Sequence, residues 1–290
     1  MELTHTAIRG GRLSAVLREE LKLSSGLMNR LKWQNRLFVN GLPVHTDYQV
    51  LPGDTVTVPL DEPAPDYPAE DGPLTILFED HHLLAVDKPA GMLIHPSRAC
   101  FTGTLANYVL GYYQKTGQSS AFHPLTRLDR DTYGVVLLAK NAHIHALLSA
   151  LHSEGCIQKT YHALVWGEPE APSGTIDAPI ARLPLPGLLR QVREDGKPSV
   201  TEYRVLEHRD GISRLALQPV TGRTHQLRVH CAYMGFPILG DPQYGSEASQ
   251  AVSRQLGLNT QLLCAHTLTL PHPVTGEPLR ITSSMDVQFP

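Results

Sequence analysis

Apolar and polar positions alternate with two different periods along this chain. Residues 12–23 (RLSAVLREELKL) place Leu13, Val16, Leu17 and Leu21 at helical spacing with Arg18, Glu19, Glu20 and Lys22 elsewhere, which predicts a short amphipathic helix. Ser24 or Ser25 can cap a second helix, SGLMNRLKWQN. The strand-like RLFVNG follows, with Asn40-Gly41 as a turn signal, and Gly53-Asp54 marks another turn into the alternating TVTV. Further on, 74–78 and 83–86 read as short strands, with Asp87-Lys88-Pro89-Ala90-Gly91 predicted to break the second into a turn. TLANYVLGYYQK is helix-like and GVVLLAK strand-like. Asn141 can then cap a helix carrying Ile144, Leu147, Leu148 and Leu151, ended by Gly155.

The next predicted strand, KTYHALVWG, sets Tyr161, Ala163 and Val165 on one side and His162, Leu164 and Trp166 on the other. The prolines and glycines of 167–200 predict loops joining short strands, with GTIDAPIAR as a turn and strand. SVTEYRVLEHRDGISRLALQPV reads as a strand pair, and in the TGRTHQLRVH that follows Leu227 and Val229 alternate with polar neighbours.

At 290 residues with 41% hydrophobic side chains, the chain can bury a sizeable core and is longer than one typical domain. The stretch PLDEPAPDYPAEDGP is rich in proline and acid and reads as an extended linker, expected to run away from any nucleic acid. We therefore divide the chain into a small domain (1–59), a linker (60–73) and a large domain (74–290). No apolar run reaches a membrane-spanning length, and the amino terminus MELTHTAIRGGR lacks the apolar core of a signal peptide, so a cytoplasmic protein is expected. Cys100, Cys156, Cys231 and Cys264 form no CxxC pair, and free, mostly buried thiols are expected. His143 with His145, or His225 with His230, lacks the spacing of a zinc protease, so no metal is expected.

The net charge of −3 argues against a nucleic-acid protein only until it is divided. Residues 1–59 carry +2, 60–80 carry −7 and 81–290 carry +2, and the stretch from Arg9 to Gly41 alone carries +5. Arg30 and Lys32 on the second helix, with Arg36 beyond it, are the sort of patch that phosphate contacts require.

The densest chemistry lies in FHPLTRLDRDTYGVVLLAKN, where Asp129 sits between Arg127 and Arg130 ahead of an apolar strand. A carboxylate so placed is either a surface ion-pair cluster or a group held for chemistry. Taken alone, Tyr161 reads as a sheet aromatic, and Arg223, His225 and Arg228 as a solvated cluster of cations and donors.

In sequence order these pieces resemble a known family. FVNG and LPGDTVTV, after two small helices, resemble the S4 RNA-binding module over residues 11–59. From 74 to 286, DKPAG with its following HP, TRLDRDTYG, KTYHALVWG, GRTHQLRVH and the closing AHTLTLPHPVTGEPLRITSSM resemble RluA-type pseudouridine synthases. Against the family's HRLDRxTSG this sequence departs twice, at Thr126 and Tyr133, which alters the expected packing and hydrogen bonding around the site.

The resemblance implies an α+β fold, a mixed and mainly antiparallel sheet with a cleft across it, and the isomerisation of uridine to pseudouridine in structured RNA. It places Asp129 as the catalytic acid group, Tyr161 as the active-site tyrosine and Arg228 as the basic partner. Asp129 can stabilise charge at ribose C1′, attack it, or remove the C2′ proton. Arg127 is expected to hold a phosphate or the vacated base position, with Arg130, Arg223 and His225 as further RNA contacts. No group enters or leaves, so no cofactor is expected. The S4 likeness favours ribosomal over transfer RNA, and a monomer is expected. Two rivals remain: a non-catalytic RNA-binding or ribosome-assembly factor, and a metal-dependent hydrolase built on the histidines.

Overall fold

A computed structural model describes residues 2–62, 65–184 and 189–290. Residues 63–64 of the expected linker, 185–188 of the expected loops and residue 1 of the amino terminus lie outside the described residues. Among the described residues no helix is long and apolar enough to cross a membrane.

Near the amino terminus, Glu2–Thr6, Thr55–Pro59, Phe38–Val39 and Leu42–Pro43 form a four-stranded antiparallel sheet in that order. Helices α1 (Leu13–Glu19) and α2 (Ser25–Trp33) close a core containing Leu13, Leu17, Leu31, Leu37 and Val56. The Ser24 hydroxyl accepts the Leu27 N–H at 3.2 Å, the cap that starts α2. Asn40 and Gly41 take φ of +50° and +78°, the two left-handed residues that a tight hairpin needs. Helix α1 is shorter than expected: Lys22 turns the chain with φ +55°, and Leu21 and Leu23 reach the core from outside the helix. The strand Glu2–Thr6 was not anticipated, because Leu3 is its one strongly apolar residue.

The rest is built on a ten-stranded sheet. Its main path runs Ser173–Asp177, Val200–Arg209, Ile212–Pro219, Gln158–Trp166, Leu263–Pro271, Tyr133–Ala139, Leu83–Lys88, Thr75–Glu79. Pro278–Thr282 pairs with Leu263–Pro271, and His123–Pro124 with Tyr133–Ala139. Every pairing is antiparallel except Tyr133–Ala139 with Leu263–Pro271, so the expected mixed, mainly antiparallel α+β fold is present.

Side-chain alternation assigns the helices to faces. Leu84, Val86, Val136 and Leu138 pack on α3 (Leu105–Lys115), whereas Leu83, Ala85, Val135 and Leu137 pack on α4 (Ala142–Ser153). Ala163, Val165, Leu215 and Leu217 pack on α5 (Gln226–Tyr233), and the reverse side, with Leu164 and Cys264, packs on α6 (Glu247–Gln255) through Val252. The register Gly134, Ala265, Tyr161 across three strands places α3 and α5 on one face of the sheet, and α4 and α6 on the other.

Three expectations are corrected. The strand Leu83–Lys88 takes in the first two residues of the predicted turn, because Asp87 accepts from the Ser283 hydroxyl, the Ser284 N–H and the Ser284 hydroxyl, each at 2.7 Å, and Lys88 is buried on carbonyls; the chain turns just after it, at Ala90 and Gly91. The described part of the linker is a strap rather than a free spacer. The Asn107 amide donates to Pro68 O at 2.8 Å, the Glu70 N–H donates to Asn107 O at 3.0 Å, and Glu70 accepts the Gly103 N–H at 2.8 Å. Gly111 has no Cβ for the same reason, since one would lie 1.9 Å from Glu70 O. Of the four free cysteines only Cys231 and Cys264 are buried, and Cys156 is exposed just after Gly155, beyond the end of α4.

Candidate active site

The Asp129 loop crosses the sheet face that carries α3 and α5. Leu128 packs into the α3 cluster and the Asp129 carbonyl accepts the Thr132 N–H at 3.2 Å, which closes a turn. Beneath it Lys88, fully buried, donates to Pro89 O at 2.9 Å, Met92 O at 2.9 Å and Arg130 O at 2.8 Å. Burial pushes the Lys88 ammonium down to about 8, against the pull of Asp131 and Asp129. One cation thus ties the DKPAG turn to the aspartate loop.

Asp129 Oδ2 accepts from Arg228 Nη1 at 3.1 Å, and His225 Nε2 stands 3.8 Å away. Arg228 is held on its other side by Asp241, with Nε to Oδ2 at 2.7 Å and Nη2 to Oδ1 at 2.8 Å, and Nη2 also donates to Gln243 Oε1 at 2.8 Å. The Asp241 carboxylate is fixed in turn by the N–H groups of Gln243 at 2.9 Å and Tyr244 at 3.2 Å. Burial opposes the Arg228 charge, but the hydrogen bonds and charge of Asp241, with Asp129, more than offset it and raise its pKa. The Tyr244 ring lies 4.9 Å from the guanidinium, and its hydroxyl is 2.7 Å from His225 Nδ1. Burial lowers the His225 pKa although Asp129 pulls it upward.

The alternation in TGRTHQLRVH does not produce a strand. Residues 226–233 are helical, because Gln226, Arg228 and His230 are all buried with partners rather than facing water. Gln226 accepts from the Thr221 hydroxyl at 2.8 Å and the Arg223 N–H at 3.0 Å, and donates to Val200 O and Thr201 Oγ1, both at 2.9 Å. His225, with φ +58°, turns the chain into α5.

Tyr161 follows a break in register at Thr160/Tyr161 and packs with Ala163, Val165 and Leu227. Burial, then the nearby Asp129 charge, raises its phenol well above 10.0. A cleft beside it is lined by Thr126, Val135, Leu137, Lys159 and Thr267. The structure therefore gathers Asp129, Arg228, His225 and Tyr161.

The other expected site residues are dispersed. Arg127 is exposed with no ion pair among the described residues, and its charge, after burial, helps lower the pKa of His95. Arg130 is turned back onto Asp131, at 3.1 and 3.2 Å. Arg223 donates to Pro198 O at 3.1 Å. Arg36 pairs with Asp61 of the acidic stretch, and Arg30 stands near Glu62, whose carboxylate accepts the Ala142 N–H at 2.5 Å and meets His123 at 2.8 Å. Contrary to expectation, the start of the acidic segment meets the basic helix. Lys32 remains exposed.

A second cluster lies behind Tyr161, on the opposite face. His162 stacks on His266 at 4.0 Å, and both approach Asp286, the one metal-ligand set found among the described residues. Arg214 pairs with Asp286 there and already supplies a positive charge.

Comparison with known proteins gives this geometry its family. Residues 82–233 match the family model described as RNA pseudouridylate synthase, and the chain is 37% identical over 264 residues to the uncharacterized RNA pseudouridine synthase YjbO of Bacillus subtilis, covering 90% of this chain and 91% of that one. The chain belongs to the RNA pseudouridylate synthase family. The synthase is also 37% identical to ribosomal large subunit pseudouridine synthase D of Zymomonas mobilis, over 80% of this chain and 75% of that one. Among solved structures, human RNA pseudouridylate synthase domain containing 1 superposes with a TM-score of 0.62 at 27% identity, covering 75% of this chain and 86% of that one. The chain is thus an RNA pseudouridine synthase, an isomerase.

Of the two departures from the family motif, Tyr133 packs with Leu164, Ile212 and Cys264 behind the sheet, while Thr126 lines the cleft with Tyr161. Sequence reasoning passed over Lys88, Asp241, Gln243 and Tyr244. The last three fall in GDPQYG, which looks like a loop, and nothing in its letters points to an arginine thirteen residues earlier.

Proposed function

We propose that this synthase isomerises specific uridines of structured RNA, with large-subunit ribosomal RNA as its substrate, and that Asp129, Tyr161 and Arg228 carry the reaction. The contact of Asp129 with Arg228 at 3.1 Å, close enough to Tyr161 for the Asp129 charge to act on its phenol, is the observation that carries this reading. Substrate preference is supported by relatives named ribosomal large subunit pseudouridine synthase D.

In the reaction the bond from C1′ to N1 breaks, the uracil turns, and C5 joins C1′. Arg228 holds the Asp129 carboxylate aimed at the ribose, where it meets positive charge developing at C1′. Tyr161 presents a ring on which the uracil stacks. Its raised pKa keeps the phenol protonated while the site is empty, so its hydroxyl relays the proton leaving C5 rather than waiting as a phenolate. A stacked uridine exposes neither reacting carbon, so the nucleotide is flipped out, with exposed Arg127 holding the adjacent backbone. Of the further RNA contacts, His225 borders this path, 3.8 Å from Asp129.

We read residues 1–59 as an S4-like RNA-binding module, 60–73 as its strap and 74–290 as the catalytic domain. A ribosomal substrate places the protein in the cytoplasm. The test is incubation with ribosomal RNA carrying tritium at uridine C5. Wild type releases tritium, and Asp129→Asn releases none while still binding the RNA. A fully active Asp129→Asn removes Asp129 from the mechanism.

A further inference from the structure

We infer that Trp33, at the carboxyl end of α2, is a stacking platform for an unpaired RNA base outside the catalytic cleft. The inference rests on the reading of the chain as an RNA-acting enzyme and adds to it a second contact point. At 83% exposure, Trp33 is the most exposed large hydrophobic side chain among the described residues. No ring and no cation covers its indole among those residues. An indole left in water at the end of an amphipathic helix contributes nothing to the core. That core is closed by Met28 and Leu31 on the other side of α2.

Charge selects the partner. The stretch from Arg9 to Gly41 carries +5, but its cations are not equally available. Arg36 is paired with Asp61 and Arg30 faces Glu62, so the acidic strap occupies one side of α2. The opposite arrangement holds for Lys32, exposed next to Trp33, and for Asn29, exposed one helical turn before them. Lys22, exposed in the turn ahead of α2, adds a further cation to the same module. A flat π surface with an exposed amide one helical turn before it, on a helix end that also exposes Lys32, suits a base stacked on the indole with its backbone phosphate toward the lysine. An acidic peptide would satisfy the lysines but leave the indole unused. A paired RNA helix would keep its bases from the ring.

The chain has two tryptophans, Trp33 and Trp166, so the part of the emission that Trp33→Phe removes reports on Trp33. A short single-stranded RNA should quench the fluorescence of the full-length protein, the same strand annealed into a duplex should not, and Trp33→Phe should abolish the response. Trp33→Ala should weaken binding of the single strand by about 5- to 150-fold, the range that one base stacked on an aromatic ring supports, with Trp33→Phe weakened less. Equal quenching by strand and duplex, or Trp33→Ala binding within twofold of wild type, overturns the inference. The readout needs no turnover. If wild type releases no tritium from ribosomal RNA yet Trp33→Ala still loses the single strand, the catalytic reading fails and this one stands.

Discussion

Asp241 grips Arg228 through two hydrogen bonds, at 2.7 and 2.8 Å, and leaves Nη1 of the guanidinium for Asp129. Asp129 is thus aimed by an arginine that is itself aimed by a second, buried acid. Asp241→Asn keeps the shape but removes the charge that fixes Arg228. We expect turnover to fall on the order of 100-fold, as for a group displaced by about 1 Å, with RNA affinity nearly unchanged. Loss of one partner of a buried ion pair should also cost about 3 kcal/mol of stability. Tritium release and denaturant titration check both, and an unchanged kcat denies Asp241 its positioning role.

Much of this site was legible because its residues sit in runs whose local chemistry is self-contained. Asp129 is flanked by arginines, Tyr161 lies on a strand with clear alternation, and Arg228 stands in a cluster of donors. The Ser24 and Asn141 caps were equally readable, since a cap involves residues only three apart. What stayed hidden depends on distant partners. Lys88 looked like part of a turn because its three carbonyls, one of them 42 residues away, cannot be seen in DKPAG. The helix at 226–233 read as alternating because its buried polar residues find partners on strands around residue 200. Arg30 and Arg36 looked free for RNA because net charge along a chain does not reveal which acid folds back onto which base.

Tyr161 offers a ring and a hydroxyl, and the two are separable. Tyr161→Phe keeps the stacking surface but removes the proton relay, so kcat should drop on the order of 100-fold or more while RNA binding holds. Tyr161→Leu should lose both. A phenylalanine variant with wild-type kcat would leave Tyr161 as a stacking surface alone.

Gly134 follows the aspartate loop where the one parallel strand pair among the described residues begins, with φ +108°. A Cβ there would lie 2.3 Å from Ala265 O, which is backbone and cannot rotate away. Gly134→Ala combines an unfavourable φ with overpacking, and should destabilise the fold by about 3 kcal/mol or more. Thermal unfolding measures this directly. The variant should also lose activity, because the Thr132 and Asp129 turn leads straight into this strand.

Acid should destabilise the protein through its buried histidines, and His143 isolates the effect. His143 is 5% exposed, and its Nδ1 has no hydrogen-bond partner among the described residues. Burial, and after it His82, lowers its pKa below the usual 6.5. The folded state therefore binds fewer protons than the unfolded state in the window just below 6.5, so stability falls as pH drops through that window. His82 and His230, also lowered chiefly by burial, act in the same direction. His143→Leu removes both the titration and the unpaired nitrogen. It should raise stability by about 1 kcal/mol near neutral pH, and by more in mild acid, flattening the dependence of Tm on pH. A variant whose Tm falls with acid as steeply as wild type would show that His143 takes up its proton equally in the folded and unfolded states, and that the acid limb belongs to other groups.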